Sequence, residues 1–197
     1  MKKIFLFICA VLLVSCTEDD SRNVSDVTNY ATFDFEPVVA IPVGGTFTPA
    51  ATATEGGVDI PVEVDGTVDT STVGAYSVTY SAVNSDGYAA SVTQTVVVHD
   101  PSIVGTDVSG NYQDKNNNAR KGVISLVPGT TSIFYATDFG FAGAFPIYFQ
   151  MDGDTISEIE QVYPLGQESI ELTYNPGTEE FGITIQPAGF SYTFEYY

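Results

Sequence analysis

An all-β protein built as two successive antiparallel units is what the sequence predicts, and three observations carry the prediction. Apolar and polar residues alternate at period two through nearly every segment from Tyr30 onward. No apolar run keeps helical spacing for longer than about two turns. Thr, Val, Gly, Tyr and Phe dominate these segments, and turn residues punctuate them.

The clearest strand of the first unit places Tyr76, Val78, Tyr80 and Ala82 on one face and Ser77, Thr79 and Ser81 on the other. Asn84-Ser85-Asp86-Gly87 supplies a turn in which Gly87 is free to take a positive φ, and the partner strand runs from Tyr88 to Val98. The unit ends near His99-Asp100-Pro101, because proline cannot donate to a ladder, and Ser102 to Gly105 reads as a connector. Residues 30–100 thus form one domain, with room for roughly seven short strands. The stretch VDTSTVGAYSVTYSAVNSDGYAASVTQTVVV resembles the bacterial Ig-like domain that stands beside the lipid anchor in many Bacteroidota surface lipoproteins. That resemblance implies a β-sandwich used mainly as a spacer. Gly74 would let the chain turn into its strand, and Tyr76 would be either ordinary core or a corner tyrosine bonding upstream backbone.

Residues 106–197 read as an antiparallel meander. Strands are expected at Gly110 to Gln113, Arg120 to Val127, Ser132 to Ala136, Phe145 to Met151, Thr155 to Tyr163, Ser169 to Tyr174, Glu180 to Ile185 and Phe190 to Tyr196. Asp152-Gly153 suits a two-residue type I′ turn and Asn175-Pro176-Gly177 a longer loop. About eight hairpin-linked strands are compatible with a small barrel, lipocalin-like included, and equally with a sandwich. The motifs SGNY…RKGVISL and YATDFGFAGAF resemble the C-terminal domain of unknown function that follows the Ig-like module in lipoproteins of glycan-uptake loci, the SusE-like setting.

Upstream of both domains, Lys2 and Lys3 precede an apolar run from Ile4 to Val14, about half the ~20 residues that a membrane-spanning helix needs. Residues 1–15 therefore read as a signal peptide. Leu13-Val14-Ser15-Cys16 resembles the lipobox of bacterial lipoproteins, which implies lipidation of Cys16 and a membrane anchor that spans nothing. Thr17-Glu18-Asp19-Asp20 resembles the acidic signal that sends such proteins to the cell surface, and residues 16–29 read as a flexible acidic tether. The expected address is the outer membrane, lipid-anchored and exposed on the cell surface.

Composition narrows the function. The chain carries 6 basic and 25 acidic residues, a net charge of −19 that becomes more negative once Lys2 and Lys3 depart. Such a charge repels phosphates, so no nucleic acid partner is expected. Cys9 leaves with the signal and Cys16 is consumed by lipid, so no thiol remains for a disulfide, a nucleophile or zinc. His99, the only histidine, has no local nucleophile or orienting acid and reads as a linker residue.

Several clusters could carry chemistry. Glu158 and Glu160 sit two apart on one expected strand, about 6.6 Å between Cα atoms, which permits a glycosidase pair, although solvated surface is the plainer reading. Ile156, Ile159 and Val162 do not hold one register beside them. Asp114, Asn116 and Asn118 alternate as at the start of a calcium loop, yet Ala119 stands where the turn glycine belongs and Ser125 where a bidentate glutamate belongs. No metal site and no cofactor are expected. In the same stretch Asn116, Asn118 and Arg120, flanked by Lys115 and Lys121, could bond sugar hydroxyls or a partner's carboxylates, although a solvated hairpin is the plainer reading. Phe139, Phe141 and Phe145 in DFGFAGAF, with thin glycine-rich backbone beside them, are candidate stacking platforms for sugar C–H faces, while core is the ordinary fate of such rings.

The expectation is a non-catalytic surface lipoprotein that binds or presents glycan, a polysaccharide or oligosaccharide, for an outer-membrane transporter and its lipoprotein partners, a role implied by the resemblance. The alternatives are a structural or interaction subunit of a surface complex, and a glycosidase.

Overall fold

The computed structural model describes residues 28–140 and 145–197. Cys16, the acidic signal, most of the tether and Phe141 lie outside the described residues. Every named element is a strand apart from one 3-10 turn at Pro164–Gly166.

The first sandwich contains β1 (Thr32–Asp34), β2 (Val38–Pro42), β3 (Thr52–Glu55), β4 (Val58–Ile60), β5 (Glu63–Asp65), β6 (Gly74–Val83) and β7 (Ala89–His99). One sheet has the order β1-β3-β4; the other is built on β6, β7 and a parallel β2, with β5 on the outer edge of β6. The two sheets close over Ile41, Val78, Tyr80, Val96 and Val98, with Phe33, Phe47 and Tyr76 packed against them. Alternation along β6 is as the sequence implies: Val78, Tyr80 and Ala82 are buried and Ser77 is exposed. Gly87 takes φ 84° in the β6–β7 turn, and the Tyr76 hydroxyl donates to the Thr72 carbonyl at 3.0 Å, the corner arrangement.

The second domain contains β8 (Gly110–Asp114), β9 (Asn117–Leu126), β10 (Ile133–Ala136), β11 (Ile147–Asp152), β12 (Thr155–Glu158), β13 (Glu160–Gln161), β14 (Ser169–Asn175), β15 (Glu180–Gln186) and β16 (Phe190–Tyr196). Its eight-stranded antiparallel sheet has the order β12-β11-β10-β9-β8-β16-β15-β14. The end strands β12 and β14 come side by side without a ladder, so the sheet curls into a nearly closed barrel. In the two-residue β11–β12 loop only Gly153 takes a positive φ, 54°, the type II′ rather than the type I′ arrangement.

The barrel interior is filled by aromatic rings. Phe139 is fully buried, with its ring centroid 4.9 Å from that of Tyr112, 5.0 Å from Phe194 and 5.6 Å from Phe181. Phe145 is equally buried and stacks on Tyr163. Neither offers a face to a ligand, which corrects the expectation of a stacking platform there. After Ala136 the chain leaves the sheet and Phe139 enters the core. The Asp138 carboxylate accepts from the backbone N–H of Gly140 (3.0 Å) and Phe145 (3.3 Å).

The expected single strand Thr155 to Tyr163 is broken. After β12 the chain buries Ile159 and crosses to the first domain, where Glu160 and Gln161 of β13 pair in parallel with Gly74 and Ala75 of β6. The lack of a common register among Ile156, Ile159 and Val162 is the trace of this crossing. Gly74 serves the close approach of β13 rather than a turn: a Cβ there would lie 2.8 Å from the Glu160 carbonyl oxygen. Ala75, Val97, Val127, Ile133 and Ile159 form a small core between the domains. His99 is the last residue of β7 and buried, so it is sheet rather than linker, and its Nδ1 has no hydrogen-bond partner among the described residues.

Three outcomes follow from this packing. Phe139→Ala should destabilise the protein by about 3–5 kcal/mol in denaturant unfolding, because the barrel cannot collapse around the missing ring. Gly74→Ala should cost about 1–3 kcal/mol by overpacking against β13, with faster amide exchange concentrated at Glu160 and Gln161. Burial lowers the His99 pKa from 6.5, with Asp100 opposing, so the unfolded chain takes up the proton more readily. The thermal midpoint should then hold steady above about pH 6.5 and fall toward pH 5, and His99→Asn should flatten that slope.

Candidate functional site

With Phe139 and Phe145 buried, the described concave surfaces lie outside the aromatic core of the barrel. On β10 and β11 the inward residues Phe134 and Phe149 alternate with outward Tyr135 and Tyr148, which are direct cross-strand partners. Their rings lie 4.9 Å apart, tilted by 42°, and both side chains are half-buried. Opposite them, on the outer face of the β6–β7 pair, stand Ser77 and Thr95, which are also direct cross-strand partners. Pro146 and Gln161 complete the lining of a cleft of about 220 Å³ between the domains.

The two walls are fixed to each other. The Gln161 side-chain amide imitates a strand: its Oε1 accepts from the Tyr148 N–H at 2.9 Å and its Nε2 donates to the Tyr148 carbonyl at 2.6 Å. The Gln161 backbone meanwhile pairs with Ala75 of the first domain. Burial raises the pKa of both Tyr135 and Tyr148, so each phenol keeps its proton and remains a donor at neutral pH.

A second depression, of about 310 Å³, lies beside β13 and is lined by Glu158, Glu160, Glu168 and Tyr163. Glu158 and Glu160 do not share a strand face, since the crossing at Ile159 separates them. The Glu158 carboxylate accepts from the Tyr163 hydroxyl at 2.5 Å. Burial, reinforced by that carboxylate, holds the Tyr163 pKa far above the usual phenol range, so the shared proton stays on the phenol. A third groove, about 540 Å³, lies in the first sandwich and includes Asp34, Glu36, Phe35 and Phe47.

The asparagine-rich stretch is the β8–β9 hairpin. Asn116 and Asn118 are exposed there, but Arg120 is engaged: its guanidinium bonds the buried Asp114 carboxylate and lies 4.5 Å over the Tyr192 ring. Lys115 pairs with Glu180 at 2.6 Å and Lys121 sits 4.0 Å over the Tyr197 ring. Asp114 also accepts from the Asn116 N–H, so this carboxylate closes a hairpin. The structure therefore places the candidates Asn116, Asn118 and Arg120 on the barrel, but does not bring them together with Phe139 or Phe145 into one site.

Sequence reasoning missed Tyr135, Tyr148, Ser77, Thr95 and Gln161. The available signal was that SIFYA and PIYFQM are apolar or aromatic at consecutive positions, the mark of strands covered on both faces.

Residues 32–98 match the family described as bacterial surface protein, Ig-like domain. The crystal structure of a lipoprotein from Bacteroides thetaiotaomicron is similar at 22% identity, covering 84% of this chain and 98% of that chain, with a TM-score of 0.42. No curated protein matches the chain. The sandwich formed by β1 to β7 is thus the part of the chain that is similar to the bacterial surface Ig-like family.

Proposed function

We propose that this protein is a non-catalytic, lipid-anchored display module of the outer membrane, whose Ig-like domain holds the barrel away from the cell surface for glycan capture. The observation that carries the reading is where the chain enters the fold. Asn29 accepts a hydrogen bond from the Asn84 amide at 2.9 Å, and the Tyr30 ring lies 6.0 Å from Tyr88, so the N-terminal segment arrives at the β6–β7 turn. The barrel packs at the other end of the same strands, on Gly74 and Ala75. At about 3.3 Å per residue, the stretch from Ala75 to Val83 separates anchor side and barrel by about 26 Å.

An anchor at Cys16 suits that geometry, since a tether reaching Thr28 would deliver lipid to the end remote from the barrel. Recruitment by an outer-membrane transporter and companion lipoproteins accords with the Ig-like domain being of the surface-protein type. The non-catalytic reading is supported by Glu158 being occupied by Tyr163 and divided from Glu160 by the crossing strand.

Labelled fatty acid fed to cells expressing the full chain should be incorporated into the protein, and Cys16→Ser should abolish both incorporation and cleavage of residues 1–15. External protease on intact cells should degrade the wild-type protein. Absence of label, or complete protection from the protease, would refute anchored surface display.

A further inference from the structure

We infer that the cleft between the Ig-like sheet and the barrel is a binding site for a single ring of a neutral saccharide. This rests on the glycan-capture reading above and gives it a place and a ligand class.

The two walls are chemically unlike and each is built from a cross-strand pair. One presents the Tyr135 and Tyr148 rings, with Pro146 beside them; the other presents the hydroxyls of Ser77 and Thr95. A pyranose has the matching duality, with C–H faces that lie on aromatic rings and equatorial hydroxyls that need partners at the edge. The volume of about 220 Å³ falls below the roughly 300–1,000 Å³ of pockets for drug-sized ligands, which limits occupancy to one ring-sized unit. The cleft is open, so neighbouring units of a longer chain would leave it into solvent. Among the described residues no charged residue lines it, in a chain of net charge −19. A carboxylate or sulfate would meet no cation there and would be repelled by the surrounding acids. The groove beside β13, by contrast, carries three glutamates, and the groove of the first sandwich carries Asp34 and Glu36.

Preorganisation strengthens the assignment. Gln161 pins Tyr148 to β13 through both backbone atoms while β13 is paired with β6, so the aromatic wall is held at fixed distance from the hydroxyl wall before any ligand arrives. Exposed Val162, next to Gln161, would extend the apolar rim.

Calorimetric titration of the purified full chain with maltoheptaose, cellohexaose, mannohexaose and galactohexaose tests this, with polygalacturonate as the anionic counterpart. At least one neutral oligosaccharide should bind saturably, and polygalacturonate should not. Tyr135→Ala and Tyr148→Ala should each weaken binding by about tenfold or more, as loss of a stacking ring does. Tyr148→Phe should retain most of the affinity, because the ring is the contact. Should the alanine variants unfold, Ser77→Arg, on the exposed Ig-like wall and away from the barrel packing, should block the cleft and abolish binding.

Neutral-sugar binding unmoved by Tyr148→Ala or Ser77→Arg would overturn the cleft assignment and leave glycan capture standing. No binding of any oligosaccharide would overturn both. Equal binding of polygalacturonate, or displacement of the sugar by a proline-rich peptide at lower concentration, would overturn the neutral-saccharide class.

Discussion

Gln161 bonds in two directions, and the relation between the domains depends on it. Its backbone adds a strand to the edge of the Ig-like sheet at Ala75, while its side-chain amide completes the hydrogen bonding of Tyr148 on the barrel. A glutamine side chain has one acceptor and two donors in the same planar array as a peptide unit, so it can satisfy the N–H and C=O of one residue at once. Shortening it would leave the Tyr148 backbone groups half-buried without partners, at a cost greater than the loss of an ordinary surface hydrogen bond. The apolar contacts among Ala75, Val97, Val127, Ile133 and Ile159 then seal the junction. Two domains that look separable along the sequence are therefore joined through a ladder, a side-chain amide and a small dry core.

The aromatic filling of the barrel has a consequence for where recognition can occur. Phe139 stands among Tyr112, Phe149, Phe181 and Phe194, each a direct ring contact, so among the described residues these rings fill the space around it. An eight-stranded barrel either fills with side chains or holds one small ligand, and this one fills. No cysteine stands among the described residues, so their stability rests on that packing, with roughly 1.5–3 kcal/mol for each fully buried large apolar side chain. The dry core takes Phe139 and Phe145 from the surface, while Tyr135 and Tyr148 stay on the outer face of the barrel.

Much of this architecture is legible in the sequence. Period-two alternation places β6, β7, β14, β15 and β16 to within about two residues, because each has one dry and one wet face. For Tyr76 the sequence leaves core and corner roles open, and the hydroxyl bond to the Thr72 carbonyl selects the corner. What eludes the sequence are features created by long-range contact. Gly74 looks like a turn residue until β13 is seen crossing 86 positions later in the chain, at Glu160. The rings of DFGFAGAF look like stacking platforms in the sequence, yet Phe139 and Phe145 are buried and the Asp138 carboxylate accepts from the N–H groups of Gly140 and Phe145. Glu158 and Glu160 look like neighbours on one face until the buried Ile159 divides them. The tyrosine cleft stays hidden for the same reason: its halves come from residues 77 and 95 of one domain and residues 135 and 148 of the other.

Charge distribution explains why the cleft and the hairpin differ in character. Lys115, Arg120 and Lys121 are concentrated in one hairpin, and each is matched within the barrel by Glu180, by Asp114 with Tyr192, or by Tyr197. Three of these partners, Tyr192, Tyr197 and the Glu180 carboxylate, belong to or flank the last two strands, so the cations secure the closing edge of the barrel where β16 meets β8. Cations held this way are not available to an anionic ligand without giving up a contact of the fold. Elsewhere the surface is left to its acids, whose field extends about 8 Å into physiological salt. Against that background an uncharged cleft walled by tyrosines and hydroxyls selects by shape and hydrogen bonding rather than by charge. Its selectivity should consequently depend little on ionic strength, in contrast to any contact made through the acidic surface around it.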